Sequence, residues 1–211
     1  MKKLGERKEV RPAKGGRGVL TTESIYSKEE AVEAKIRQIE PKLLGIKMIR
    51  YNQKSIRRVW VPCYFMVYDF NLNNNVLFNN RRAFDRSGTC GVVFDANEMH
   101  ASHYDVLTDG DIPFVKRDIS LEGGIVLPDN GSMDEIIAKA EFSIRRQILF
   151  KAYKTDKGEL KRKKTVKFYR EAYEMEMTYR DRTFKKYAYL DDYGVHNERA
   201  RGLNTRLNPN I

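Results

Sequence analysis

The chain has 211 residues, with 40 Lys and Arg against 29 Asp and Glu, a net charge of +11 at pH 7 and 41% apolar residues. This composition supports a packed core in one large domain or two small ones and excludes wholesale disorder. No apolar run reaches the roughly 18 residues of a membrane span, and the opening Met1-Lys2-Lys3-Leu4-Gly5-Glu6 lacks the apolar stretch of a secretory signal, which points to the cytoplasm.

Residues 1–20 carry seven cations against Glu6 and Glu9, interrupted by Pro12 and Gly15-Gly16, and read as a flexible basic tail. A first helix-sheet repeat is expected over 21–103. It opens at Ser27-Lys28-Glu29-Glu30, where Ser27 can cap a free N–H and Glu30 can reach back to the cap. Val32, Ile36, Ile39 and Leu43 then fall on one helical face, ending near Pro41 or Gly45. Trp60 with Pro62 reads as an edge strand or bulge. Beyond them Tyr64, Met66, Tyr68 and Phe70 alternate with Cys63, Phe65 and Val67, a strand apolar on both faces. Such a strand should lie centrally, and Cys63, Phe65 and Val67 are candidates for an oligomer or partner surface. A return strand through Val76, Leu77 and Phe78 and an elaborated loop between Leu72 and Gly91 complete this half.

Residues 104–131 form a connecting segment, with turn signals at Asp109-Gly110, Gly123-Gly124 and Asp129-Asn130-Gly131 around two short apolar pieces, Ile112 to Val115 and Ile125 to Leu127. A second helix-sheet repeat follows over 132–198. Ser132-Met133-Asp134-Glu135 repeats the capping box, and Met133, Ile137, Ala140, Ile144 and Ile148 form its stripe. Tyr173, Met175, Met177 and Tyr179 alternate with Glu174, Glu176 and Thr178, the pattern of a sheet wet on one face, and the chain turns at Asp181 to return through Phe184, Tyr187 and Tyr189. Residues 199–211 read as a C-terminal tail.

A shift of 109 superposes Tyr64, Met66, Tyr68 and Phe70 on Tyr173, Met175, Met177 and Tyr179, and a shift of 96 superposes Asp95 and His100 on Asp191 and His196. The fold class expected is therefore α+β, two duplicated helix-plus-antiparallel-sheet units packed as one compact structure. The opening Ser27-Lys28-Glu29-Glu30-Ala31 and the strands behind it resemble the small cystatin-like or PepSY-type helix-plus-sheet modules. The resemblance covers roughly 25–95 and 131–196. It implies a helix packed on the meander that follows it, and a binding, inhibitory or assembly role instead of catalysis.

The charge concentrates in two places. Residues 145–170 carry Arg145, Arg146, Lys161, Arg162, Lys163, Lys164, Lys167 and Arg170 among their cations, against only Asp156 and Glu159, with Tyr153, Phe168 and Tyr169 interleaved. Cations neutralise phosphates and aromatics stack on unpaired bases, so these eight cations with Tyr169 are candidate polyanion contacts, and nucleic acid or an acidic protein the candidate partner. The competing reading is a hairpin whose lysines protect a strand edge. The Asp95/His100 and Asp191/His196 pairs admit an alternative, a small enzyme using Asp and His at strand ends, against the plainer reading of turn residues. Cys63 and Cys90 have no Cys-x-x-Cys spacing and are expected reduced. No catalytic residue, metal ligand or cofactor is assigned. The function expected is a non-enzymatic intracellular binding or assembly protein with basic patches, with a structural homo-oligomer as a third reading.

Overall fold

The computed structural model describes residues 18–40, 42–43, 46–47, 51–72, 86–149 and 158–193. The tail of residues 1–17, the strand expected at Val76 to Phe78, the loop expected before Gly91, His196 and the C-terminal tail all lie outside them. The elements in chain order are β1 (Val19–Thr21), α1 (Lys28–Ile39), β2 (Lys42–Leu43), β3 (Ile46–Lys47), β4 (Asn52–Leu72), β5 (Arg86–Asp95), β6 (His100–Tyr104), α2 (Val106–Asp109), β7 (Val115–Arg117), β8 (Ile125–Val126), α3 (Met133–Ser143), β9 (Glu159–Tyr179) and β10 (Arg182–Tyr189). The fold is mixed α+β around one large sheet. Among the described residues no helix is long and apolar enough to cross a membrane.

The two long helices, α1 and α3, begin where their capping boxes place them. The Ser27 hydroxyl accepts from the Glu30 N–H and the Glu30 carboxylate accepts from the Ser27 N–H, and Ser132 and Glu135 make the same reciprocal pair. Each cap satisfies backbone donors that would otherwise be orphaned and contributes about 1 kcal/mol. Beyond Ser143 the chain widens into a π-type turn, Ile144–Leu149, which carries Ile144 and Leu149 into the core.

The centre of the sheet is an antiparallel pair of 21-residue strands, β4 and β9, in which Val61 lies opposite Arg170. The outer edge of β4 pairs in parallel with β8 at Val59 and Trp60, then antiparallel with β5 from Cys63 onward. The outer edge of β9 follows the same scheme, parallel with β1 at Tyr169 and then antiparallel with β10 from Ala172 onward. Each long strand has one irregularity against its neighbour, leaving Lys54 of β4 and Lys163 of β9 as the extra residues, 109 positions apart. Arg58 lies over the Trp60 ring at 5.2 Å, and Lys167, 109 positions on, lies over Tyr169 at 5.8 Å.

The helices do not pack where the module resemblance places them. α1 covers Met175, Met177, Ala188 and Leu190 of the β9–β10 hairpin and the residue after it. α3 covers Tyr64, Met66, Tyr68 and Phe70 of β4 together with Cys90, Val92 and Phe94 of β5. Each helix thus sits on the hairpin of the opposite half, and β1 and β8, which lead into the helices, cross with them. The reason is the parallel pairing: a leading strand bound beside the other half's long strand delivers the following helix onto that half's face.

Several sequence expectations are corrected. Trp60 and Pro62 lie in a central strand, not at an edge or bulge. Proline is tolerated there because the outer partner changes from β8 to β5 across Pro62, and its carbonyl still accepts from the Ala96 N–H. Ile136, Ala140 and Ile144 form the buried stripe of the second helix, while Met133 is exposed. The face of β9 opposite Met175 and Met177 is wet only in part, because Glu174 is buried beneath Arg57, Lys185 and Tyr187 while Glu176 and Thr178 are half-buried. Cys63, Phe65 and Val67 are no docking surface. They belong to a core in which Phe65 meets Tyr104 edge to face at 5.4 Å and Phe114 tilts against Phe168 at 4.9 Å, and the connecting segment supplies their cover. Gly91 permits that cover: a Cβ there would lie 2.9 Å from the Tyr104 carbonyl oxygen and 2.5 Å from a Val106 methyl.

Candidate polyanion-binding surface

The basic run enters the sheet as the first half of β9. Lys161, Arg162, Lys163 and Lys167 are exposed and Lys164 is half-buried, while Phe168 is fully buried. Register with β4 sorts them by face. Lys164 lies opposite Val67 and Lys161 opposite Asp69, whereas Lys167 lies opposite Tyr64 and Arg162 opposite Tyr68 on the other face. Among the described residues no strand pairs with the outer edge of β9 at 159–168, because β1 meets it only at Tyr169 and β10 only from Ala172. The cations therefore flank a strand edge that the described residues leave unpaired.

Carboxylates from elsewhere in the chain reach part of this row. Lys163 pairs with Asp69 at 3.1 Å, Lys164 with Asp111 at 2.7 Å and Lys167 with Asp129 at 2.6 Å. The lysine side chains remain 53%, 38% and 42% exposed, so each pair contributes only about 0–1 kcal/mol and leaves its lysine available to a competing anion. Partial burial alone would lower the Lys167 pKa, but its bond to Asp129 and the surrounding Tyr169, Asp129 and Tyr64 together raise it, keeping the ammonium charged. Tyr64, which donates to Asp129 at 3.0 Å, is pushed up by burial and by that carboxylate.

Arg170 is no part of this surface. It is 2% exposed, and its guanidinium is held by Asp191, with Nε 2.9 Å and Nη2 2.5 Å from Oδ1. Asp191 also accepts from the Thr22 hydroxyl at 2.5 Å and the Tyr193 N–H at 3.2 Å. Burial opposes the charged guanidinium, yet the facing carboxylate outweighs it and raises the pKa. The Tyr189 ring stacks on Arg170 at 3.7 Å, and its hydroxyl donates to Asp95. Asp95 further accepts from the N–H groups of Asn97 and Glu98 at 2.8 Å each, as a turn aspartate does. Its carboxylate is thus committed to Tyr189 and the turn, while His100 is exposed on β6. Burial pushes the Cys63 thiol well up and the Cys90 thiol up to about 12, which leaves both un-ionised and poor nucleophiles at neutral pH.

Arg145 donates to the Gly158 carbonyl at 2.7 Å and so pins the chain as it enters β9, and Arg146 lies in the preceding π-type turn. Phe168 is buried and Tyr169 is half-buried beneath Lys167, so neither is presented for base stacking, while Tyr153 lies outside the described residues. Sequence reasoning overlooked the carboxylates that reach this row and the cations Lys54, Arg57 and Arg58 on the first half of β4. Residues such as Asp111 and Asp129 lie tens of positions from their lysines and become neighbours only through the sheet. A depression of about 420 Å³ opens beside the row, between Gly88, Thr89, Glu159, Lys161 and Asp69. Bonds from Thr89 and Lys163 hold the Asp69 carboxyl below its usual range, so it is an ionised counter-charge and not an acid catalyst.

No protein-family model, curated protein or solved structure matches this chain. The cystatin-like or PepSY-type resemblance therefore rests on the residues quoted above alone.

Proposed function

We propose that this is a non-enzymatic, intracellular binding or assembly protein, built from two copies of a helix-plus-sheet unit, which engages an anionic partner through the first half of β9. The observation that carries the reading is the set of five cations, Lys161, Arg162, Lys163, Lys164 and Lys167, flanking a strand edge that the described chain leaves unpaired. Positive charge at this density raises the local concentration of any polyanion. The extra lysines Lys54 and Lys163 and the paired cation–aromatic contacts, each 109 positions apart, support the duplicated origin.

The binding partner is read by charge, since the described aromatics near the row are buried or half-buried. The direct test is fluorescence anisotropy of a labelled single-stranded oligonucleotide and of labelled polyglutamate, titrated with the full chain at low and at physiological salt. Binding to at least one of them that weakens steeply with salt is the expected result. Absence of binding to both at low salt, or binding indifferent to salt, overturns the proposal.

A further inference from the structure

A strand edge needs both kinds of hydrogen-bonding group from whatever covers it. Along an antiparallel strand alternate residues direct their N–H and C=O toward one neighbour and the remainder toward the other. On β9 the inward set is taken by β4, so over residues 159–168 about half of the backbone groups point outward, donors and acceptors together. A phosphodiester offers acceptors alone and leaves the outward carbonyls unmet. An extended peptide offers both.

The charges select among peptides. Lys164 and Lys161 stand on one face of the edge and Arg162 and Lys167 on the other, so a strand laid alongside meets cations above and below its own plane. A second copy of the same edge brings five like charges against five. Residues 1–17, which precede β1 in the sequence, carry seven cations against two acids and so bring charge of the same sign as the row. An acidic strand is the occupant that the row favours, and the competing Asp111 and Asp129 contacts are exposed or half-exposed pairs that it can displace.

We propose that the outer edge of β9 at 159–168 binds an acidic, extended polypeptide as an added strand. This rests on the anionic-partner reading above and names the class of that partner. The test uses the full chain and three labelled probes of equal charge at low salt: a twelve-residue peptide alternating Glu and Val, the same peptide methylated at every backbone nitrogen, and a single-stranded oligonucleotide. The expected result is that the parent peptide binds at least tenfold more tightly than its methylated twin and than the oligonucleotide, and slows amide hydrogen exchange within 159–168. A Lys161→Glu/Lys163→Glu variant with an unchanged far-UV spectrum should lose at least tenfold in parent-peptide affinity. If the methylated twin binds within twofold of the parent, charge alone is read and strand addition is overturned while the anionic reading stands. Tighter binding of the oligonucleotide also overturns strand addition, in favour of nucleic acid. If none of the three binds, both readings fall.

Discussion

β4 and β9 are equal in length, lie against each other and each carry an extra lysine at the corresponding point, yet their first halves meet different neighbours. Beside residues 52–58 of β4 runs the second half of β9, with Glu171, Glu174 and Glu176. Arg57 bonds Glu174 at 2.7 Å and Arg58 bonds Glu171 at 2.6 Å. Beside residues 161–167 of β9 run residues 64–69 of β4, in which Asp69 is the one charged side chain. Arg57 and Arg58 are thus held by buried carboxylates, 4% and 9% exposed, whereas Lys163, Lys164 and Lys167 meet carboxylates that are 40%, 61% and 27% exposed. Between two strands of equal length, the neighbour's sequence decides whether a charge serves the fold or remains open to a partner.

The largest expected effect comes from the point where the two strands cross. Asp191→Ala strands the Arg170 guanidinium in the core and should cost about 3–5 kcal/mol by urea denaturation, while the double change Arg170→Met/Asp191→Leu should recover most of it. Failure of the double variant to recover would mean that the pair specifies the packing and does not merely satisfy a charge.

Next is Glu174, which sharpens the contrast between tied and open cations. Burial opposes its ionisation, but bonds from Arg57 and Lys185 outweigh that and hold its carboxyl below the usual range. A carboxylate depressed in this way contributes stability that is fully present above its unfolded value, about 4.3, and is lost as the pH falls through the lower folded value. Thermal unfolding of the native chain should therefore drop more steeply below about pH 4 than that of Glu174→Gln, and parallel curves for the two would contradict the account. Smaller again are the caps: Ser27→Ala and Ser132→Ala should each cost about 1 kcal/mol. Lys161→Gln should change stability by less than about 0.5 kcal/mol while weakening anion binding, because it contributes to the surface and not to the core.

The elements whose causes are local were legible from the residues. Ser27 with Glu30 and Ser132 with Glu135 mark helix starts because a cap is satisfied within three residues. The turn at Asp181 follows from the alternation on either side of it, with Arg180 taking the left-handed φ of 53°. What was not legible depends on distant strands. Arg170 reads as one more cation in a basic run until Asp191 faces it across the hairpin, and Cys63, Phe65 and Val67 read as uncovered until Tyr104 and Phe114 close over them. The exchange of helices between hairpins has no local signature either, since β1 and β8 are too short to announce which long strand they join. Of the basic surface, the sequence located the cations but not their setting, because an open strand edge is defined by the strands around it.

The central claim is that the first half of β9 is the anion-reading edge. It is tested most directly by the salt dependence of oligonucleotide or polyglutamate binding, compared between the native chain and the triple variant Lys161→Gln/Arg162→Gln/Lys163→Gln. If those three side chains neutralise phosphates, the slope of log K against log salt for the oligonucleotide should become shallower by about 2, near 0.7 for each phosphate no longer neutralised. An unchanged slope with an intact fold would contradict the claim and move the binding elsewhere on the chain.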